Sequence, residues 1–322
     1  MSSALDPHGI EEEIARIRER ESNPYSAGTK TNIFTLVIFR SADPQEPGSS
    51  DHVERVLQFL LGKRPARIIT IQPARAARTE VVVSGRCYPD RRNRGVCFEE
   101  VRIDSGEDGV GGDPGVWAPL LIRDLPVFAW MPDSLPEEAR RWTTSLRNAA
   151  GLIDKLLGDS SRSAGTEDEA MATLQSLRDA TADAFQVSDF SWRRDRVLRE
   201  QAARAFDAPE ARPLLSSVRS VQLYGGSRME AWLFFHWLAS RLGREIQTDH
   251  AWVGPLQEGF KVTFRIDGAS NVEIGCTRGG CLSVGEEKGA YRFPTDGEIL
   301  MDEVDTLARD AVFAEVLSRA RR

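Results

Sequence analysis

Apolar stripes at helical spacing alternate with unbroken apolar runs along the first half of the chain. Ile10, Ile14 and Ile17 follow Asp6-Pro7 and predict a helix over 10–20. Asn32–Phe39 is β-branched and aromatic throughout, which predicts a strand buried on both faces. Val53, Val56, Leu57 and Leu60 mark the next helix, and Ala66–Ile71 the next strand. Thr79–Ser84 and Val96–Ile103 predict a hairpin around an arginine-rich turn at 88–95. A loop with five glycines, 106–115, leads to a short helix near Trp117 and then to a strand, Leu125–Met131, stopped by Pro132. Glu137–Leu146 reads as helix, whereas Gly151–Leu157 fits helix or strand.

The second half begins with predicted helices over 167–185 and 194–206. The strand Val218–Tyr224 and the helix Met229–Leu242 follow. That helix is apolar almost all round, which predicts burial within the domain. Short strands over 245–252, 260–265, 272–275 and 281–284 precede a terminal helix over 302–319. This order predicts an α/β fold: a mixed, largely parallel sheet with helices on both faces over residues 1–165, then a smaller α+β domain over 166–322.

Composition narrows the function classes. With 41% hydrophobic and 28% charged residues in 322, a mainly disordered chain is excluded. A net charge of −7 gives no global attraction to nucleic acid or an anionic membrane. No run approaches the roughly 18 apolar residues of a membrane span. No signal peptide is visible and four cysteines make no disulfide framework, so the cytoplasm is the expected compartment.

Candidate chemistry is sparse. His8, His52, His236 and His250 form no ligand pair, and no metal or cofactor set emerges. Cys276 and Cys281 have four residues between them at a predicted hairpin turn. They read either as two small turn residues or as a thiol pair that oxidises when the hairpin brings the sulfurs together. Gly225-Gly226-Ser227-Arg228 lies between a strand and a helix, where backbone N–H groups favour an anion; a sugar-phosphate sensor or enzyme built there is the alternative reading. No nucleophile or kinase motif is present. Nine basic residues between 63 and 94, Arg67, Arg91, Arg92 and Arg94 among them, face only Glu80 and Asp90. Aromatic interleaving is missing there apart from Tyr88, so an acidic protein partner fits this cluster better than nucleic acid, and a plain solvated surface stays open. Seven tryptophans, Trp130 among them, are more than an average core asks for, yet packing accounts for most.

Five segments together resemble the glucose-6-phosphate dehydrogenase assembly protein family (OpcA). They are Thr29–Phe39; Arg64-Pro-Ala-Arg-Ile-Ile69; Val96–Ile103 with Trp117–Leu121 and Asp124–Trp130; Ser188-Asp-Phe-Ser-Trp192 with Phe206-Asp207; and Val218–Leu242. The likeness covers roughly residues 29–243, in order. It departs where the family has His-Pro-Ser-Arg and this chain Arg64-Pro-Ala-Arg67, and where a common Trp-Trp-Pro is Trp130-Met-Pro132. The resemblance implies a protein without catalysis of its own that binds glucose-6-phosphate dehydrogenase, the first enzyme of the oxidative pentose phosphate pathway, and promotes its active oligomer. Arg67, Arg91, Arg92, Arg94 and Trp130 are the partner surface expected on this reading. Redox control in cyanobacterial relatives would give Cys276 and Cys281 a role.

Overall fold

Strands too apolar to face water on either side need a layer of helices above and below them. The computed structural model describes residues 6–22, 29–30, 32–41, 49–61, 63–89, 95–163, 165–181, 184–277, 280–282 and 292–319. Helix α1 (Pro7–Ser22) leads into β1 (Thr29–Lys30), β2 (Phe34–Phe39), α2 (Ser49–Leu57), β3 (Ala66–Pro73), β4 (Glu80–Pro89) and β5 (Gly95–Ser105). Next come α3 (Pro114–Trp117), β6 (Val127–Met131), α4 (Leu135–Asn148), β7 (Lys155–Gly158), α5 (Glu167–Ala180) and β8 (Gln186–Asp189). Helices α6 (Phe190–Arg194) and α7 (Arg196–Arg204) precede β9 (Val218–Tyr224), α8 (Arg228–Leu242) and β10 (Gln247–Ala251). The chain closes with β11 (Gly259–Ile266), β12 (Val272–Thr277), β13 (Gly280–Leu282), α9 (Asp296–Val304) and α10 (Ala311–Arg319).

The first sheet runs β5-β3-β2-β6-β7-β8, all parallel. β1 adds two residues beside the start of β5, and β4 pairs antiparallel with β5, as the hairpin reading expects. Alternate residues of each strand face opposite ways. Val37, Phe39, Ile69, Ile71, Ala129 and Met131 pack under α1, α4 and α5. Leu36, Ile38, Ile68, Phe128 and Trp130 pack instead under α2 and α9, through Val53, Val56, Ile299 and Leu300. The result is the mixed, largely parallel sheet covered on both faces.

The second sheet, β10-β9-β11-β12-β13, is antiparallel except for β10 beside β9. Its apolar face (Val221, Leu223, Val262, Phe264 and Ile274) shares one core with Leu233, Phe234 and Leu238 of α8. The other face is a polar lattice, in which Gln222 donates to Asp249 (2.7 Å) and Lys261 pairs with Glu273 (3.1 Å). Among the described residues no helix is long and apolar enough to cross a membrane.

Three expected elements differ. The helix expected over 167–185 ends at Ala180, where the Thr181 hydroxyl donates to the Leu177 carbonyl (2.9 Å); Gln186–Asp189 then forms the last parallel strand, too short to show a period. Ahead of the helix expected over 194–206, which forms as α7, Asp189 caps a further one, α6, so that two helices stand there. The terminal helix is also two, with Asp310 accepting from the Phe313 N–H (2.9 Å) at the start of α10. The first sheet thus takes β8 from beyond residue 165, and α9 returns from the far end of the chain to cover it.

Two glycines at positive φ offer a contrast. Gly225 (φ 94°) would set a Cβ 2.6 Å from the Gly259 carbonyl oxygen, whereas Gly243 (φ 68°) has nothing within 4 Å. Gly225→Ala should therefore cost about 3 kcal/mol or more and Gly243→Ala about 1 kcal/mol, read from urea midpoints at unchanged m-value. Equal losses at the two positions would contradict this packing.

Candidate functional site

In open parallel sheets, ligands collect at the carboxyl ends of the strands, where the strand order reverses. Here that point lies between β2 and β6. The side chains there are turned on one another. Arg40, just past β2, donates from Nε to Asp133 Oδ2 (2.8 Å), and the Ser41 N–H donates to the same oxygen (3.0 Å). The Asp133 N–H donates to Glu138 Oε1 (2.8 Å), and the Trp142 indole N–H donates to the Arg40 carbonyl (2.9 Å). Burial, with the Asp133 charge beside it, pushes the Glu138 carboxyl well above its usual range. Residues 42–48 lie outside the described residues.

The carboxyl ends of β7 and β8 hold the denser cluster. Asp159 is fully buried and takes both Arg194 terminal nitrogens, one per carboxylate oxygen (2.8 and 2.7 Å), as well as the Ser161 hydroxyl (2.9 Å). The same guanidinium donates from Nε to Asp296 Oδ1 at the start of α9 (2.7 Å). Burial alone would raise the Asp159 pKa, but Arg194 and Ser161 more than reverse it and hold the carboxylate ionised. One strand over, Asp189 accepts from the Ser160 N–H and hydroxyl (both 2.8 Å) and from the Trp192 N–H (3.1 Å). Burial, with Asp159 nearby, pushes Asp189 up to about 6. Behind it, Arg199 pairs with buried Asp195 and lies 3.1 Å from the Trp192 ring centre, while the Trp192 indole N–H donates to Asp310 (2.7 Å).

His52 on α2 completes the group, its Nε2 3.9 Å from Asp296 Oδ2. Burial and then Arg162 lower its pKa. His52, Asp159 and Asp296 present ligand atoms within 4.8 Å of one another and are the described side chains best placed to hold a metal. Arg194 already bridges both carboxylates, so a divalent ion would have to share them with a fixed positive charge. Ser161 donates to Asp159 directly, with no imidazole between them.

The sequence candidates fall elsewhere. Arg67 and Trp130 are not on a surface. Arg67, 3% exposed, lies opposite Glu99 in the β3–β5 register, donates to it (2.8 Å) and is closed in by Glu11 of α1. Trp130, fully buried, stacks on Phe190 at 5.6 Å between the sheet and α6. Arg91, Arg92 and Arg94 lie outside the described residues. The Gly225–Arg228 turn is not an open anion site. The Gly225 and Gly226 N–H groups donate to the Ala251 and Gly254 carbonyls (3.0 and 2.8 Å), and the Glu230 carboxylate takes the Ser227 N–H (2.7 Å) in a capping box. The helix supplies its own anion.

Cys276 is buried, disulfide-bonded and in register with Cys281, whose side chain lies outside the described ones. The bond between Cys87 and Cys97, across the β4–β5 ladder, was not anticipated, although the predicted hairpin holds the signal: the two positions face each other. His236 donates from Nδ1 to the Trp232 carbonyl (2.9 Å) within α8 and has no catalytic partner there. Asp159, Asp189, Arg194 and Asp296 carry no motif; Asp159 follows β7 and Asp189 ends β8, and neither strand is marked in the sequence.

Two sequence families match the chain. One, described as glucose-6-phosphate dehydrogenase subunit N-terminal domain, matches residues 60–178. The other, the C-terminal domain of the same subunit, matches residues 185–317. No curated protein matches. Among solved structures, a Thermotoga maritima protein described as an oxidoreductase aligns over 89% of this chain and 94% of its own, at 10% identity and a TM-score of 0.40. Apo scyllo-inositol dehydrogenase from Lactobacillus casei aligns over 91% and 95%, at 10% identity and 0.38. Likeness at that level says nothing about activity.

Two predictions follow from the cluster. Arg194→Met leaves Asp159 buried without its cation and should cost about 3–5 kcal/mol, seen as a large fall in Tm at pH 7. A raised carboxyl pKa stabilises the fold below its unfolded value of 3.8, and that contribution is lost as pH rises through about 6. Asp189→Asn loses hydrogen bonds at every pH but escapes this penalty. Relative to wild type it should therefore gain on the order of 3 kcal/mol between pH 4 and pH 7. A Tm difference that does not change with pH would show that Asp189 does not titrate in that window.

Proposed function

The chain belongs to this family of glucose-6-phosphate dehydrogenase subunits, OpcA, and from that premise we propose that it acts by binding the dehydrogenase rather than by chemistry of its own. Its role on this reading is to promote the dehydrogenase's active oligomer at the head of the oxidative pentose phosphate pathway, in the cytoplasm. The observation that carries the proposal is the match to both halves of the family, together reaching from residue 60 to residue 317. The mutual pairing of Arg40, Asp133 and Glu138 at the strand-order reversal supports it, because these charged side chains are turned on one another there. An activator of this kind works by binding the active or assembled state more tightly than the inactive one.

Arg91, Arg92 and Arg94, between the end of β4 and the start of β5, remain the contact proposed for an acidic partner surface. Purified protein mixed with glucose-6-phosphate dehydrogenase of the same cell should co-elute with it in size-exclusion light scattering and raise kcat/KM for NADPH formation. Separate elution with an unmoved rate would refute the proposal. Arg91→Glu with Arg92→Glu should slow association about tenfold and flatten its salt dependence. Association kinetics identical to wild type would move the contact elsewhere.

A further inference from the structure

Strand β4 is an outer edge of the first sheet, and among the described residues it pairs only with β5. It runs for ten residues, Glu80–Pro89, in unbroken register. Natural edges discourage pairing with another chain through lysines, early prolines, bulges or very short strands. None of these interrupts β4 before Pro89. Glu80, Val82, Ser84 and Arg86 are exposed, Val82 to 42%.

The direction of its backbone groups follows from the ladder. Cys87 and Cys97 are directly opposite, with Cα atoms 4.0 Å apart. That is the short spacing of a non-hydrogen-bonded antiparallel pair. Odd-numbered residues of β4 therefore turn N–H and C=O away from β5, so Val81, Val83 and Gly85 offer donors and acceptors outward. Their own face packs against α1, where Ile17 leaves no room for a Cβ on Gly85. The even-numbered side chains line the opposite, open face.

We propose that β4 pairs with β4 of a second copy of this chain, antiparallel about a two-fold axis at Val83. With the axis there, Val83 meets its own counterpart and exchanges two N–H···O=C bonds, and Val81 meets Gly85 of the other copy. The outward groups of Val81, Val83 and Gly85 in each copy all meet a partner; Cys87 falls opposite Thr79, outside the strand, whose N–H is held by Asp108. The same register sets Glu80 opposite Arg86 of the other copy, twice, at the non-hydrogen-bonded positions where side chains approach most closely. It also makes the two exposed Val82 side chains diagonal neighbours. Centring the axis on Val81 would pair Glu80 with Val82, and centring it on Gly85 would pair Arg86 with Ser84. Both lose the two ion pairs. The edge is self-complementary in one register, as an isologous dimer requires.

Light scattering on the intact chain alone, from low to high micromolar, tests this without any dehydrogenase present. The expected mass is twice the 35.8 kDa chain. Glu80→Arg and Arg86→Glu each set like charges opposite one another at two places and should weaken the dimer about tenfold or more. The double exchange, Glu80→Arg with Arg86→Glu, should restore it. Far-UV circular dichroism should be unchanged in all three, because both positions are exposed. A 35.8 kDa species at every concentration overturns the proposal. So does a dimer indifferent to both single reversals, or one that the double exchange fails to rescue.

Discussion

One guanidinium ties the middle of the chain to its last segment. Arg194 reaches Asp159 at the end of β7 with two nitrogens and Asp296 at the start of α9 with the third. A carboxylate as deeply buried as Asp159 is tolerable only while that cation stays in place. Because Asp296 opens α9, the bridge also fixes the helix that covers the second face of the parallel sheet, through Ile299 and Leu300. Arg199 on Trp192 and Asp195 continues the network toward Asp310 and α10. Residues separated by more than a hundred positions become a single packing unit.

The position of this network bears on function. The carboxyl ends of a parallel sheet are where such folds keep their ligands. In this chain they are filled by internal pairs: Arg40 with Asp133, Asp133 with Glu138, Arg194 with Asp159 and Asp296. A protein organised this way has its rigid polar contacts inside and its binding options on the outside. Membership in a family of dehydrogenase subunits agrees with such an arrangement. The edge of β4 and the polar face of the second sheet are among the described surfaces open to other chains.

Much of the fold was legible because its strands are extreme. Phe34–Phe39 is apolar but for Thr35 and Val127–Met131 is apolar throughout, and both are buried along their whole length. The α8 helix was read correctly as interior for the same reason. Short strands carried no such signal: Gln186–Asp189 was left unassigned between two expected helices, although it completes the sheet and supplies Asp189. The cluster itself was illegible. Asp159, Arg194 and Asp296 are far apart in sequence and ordinary in type, and only the parallel register and the return of α9 bring them together. Arg67 and Trp130 misled for a related reason. An arginine in a basic stretch reads as surface until Glu99 and Glu11 are seen to enclose it, and a tryptophan suited to an interface was already spent on Phe190.

If the core shared by the two sheets and the Arg194 bridge that fixes α9 hold the chain as one unit, the parallel sheet and the second sheet should unfold together. Scanning calorimetry on the intact protein measures this directly. A single transition, with calorimetric and van't Hoff enthalpies in agreement, is the predicted result. Two separable transitions in the wild-type protein would contradict a single unit built on that shared core.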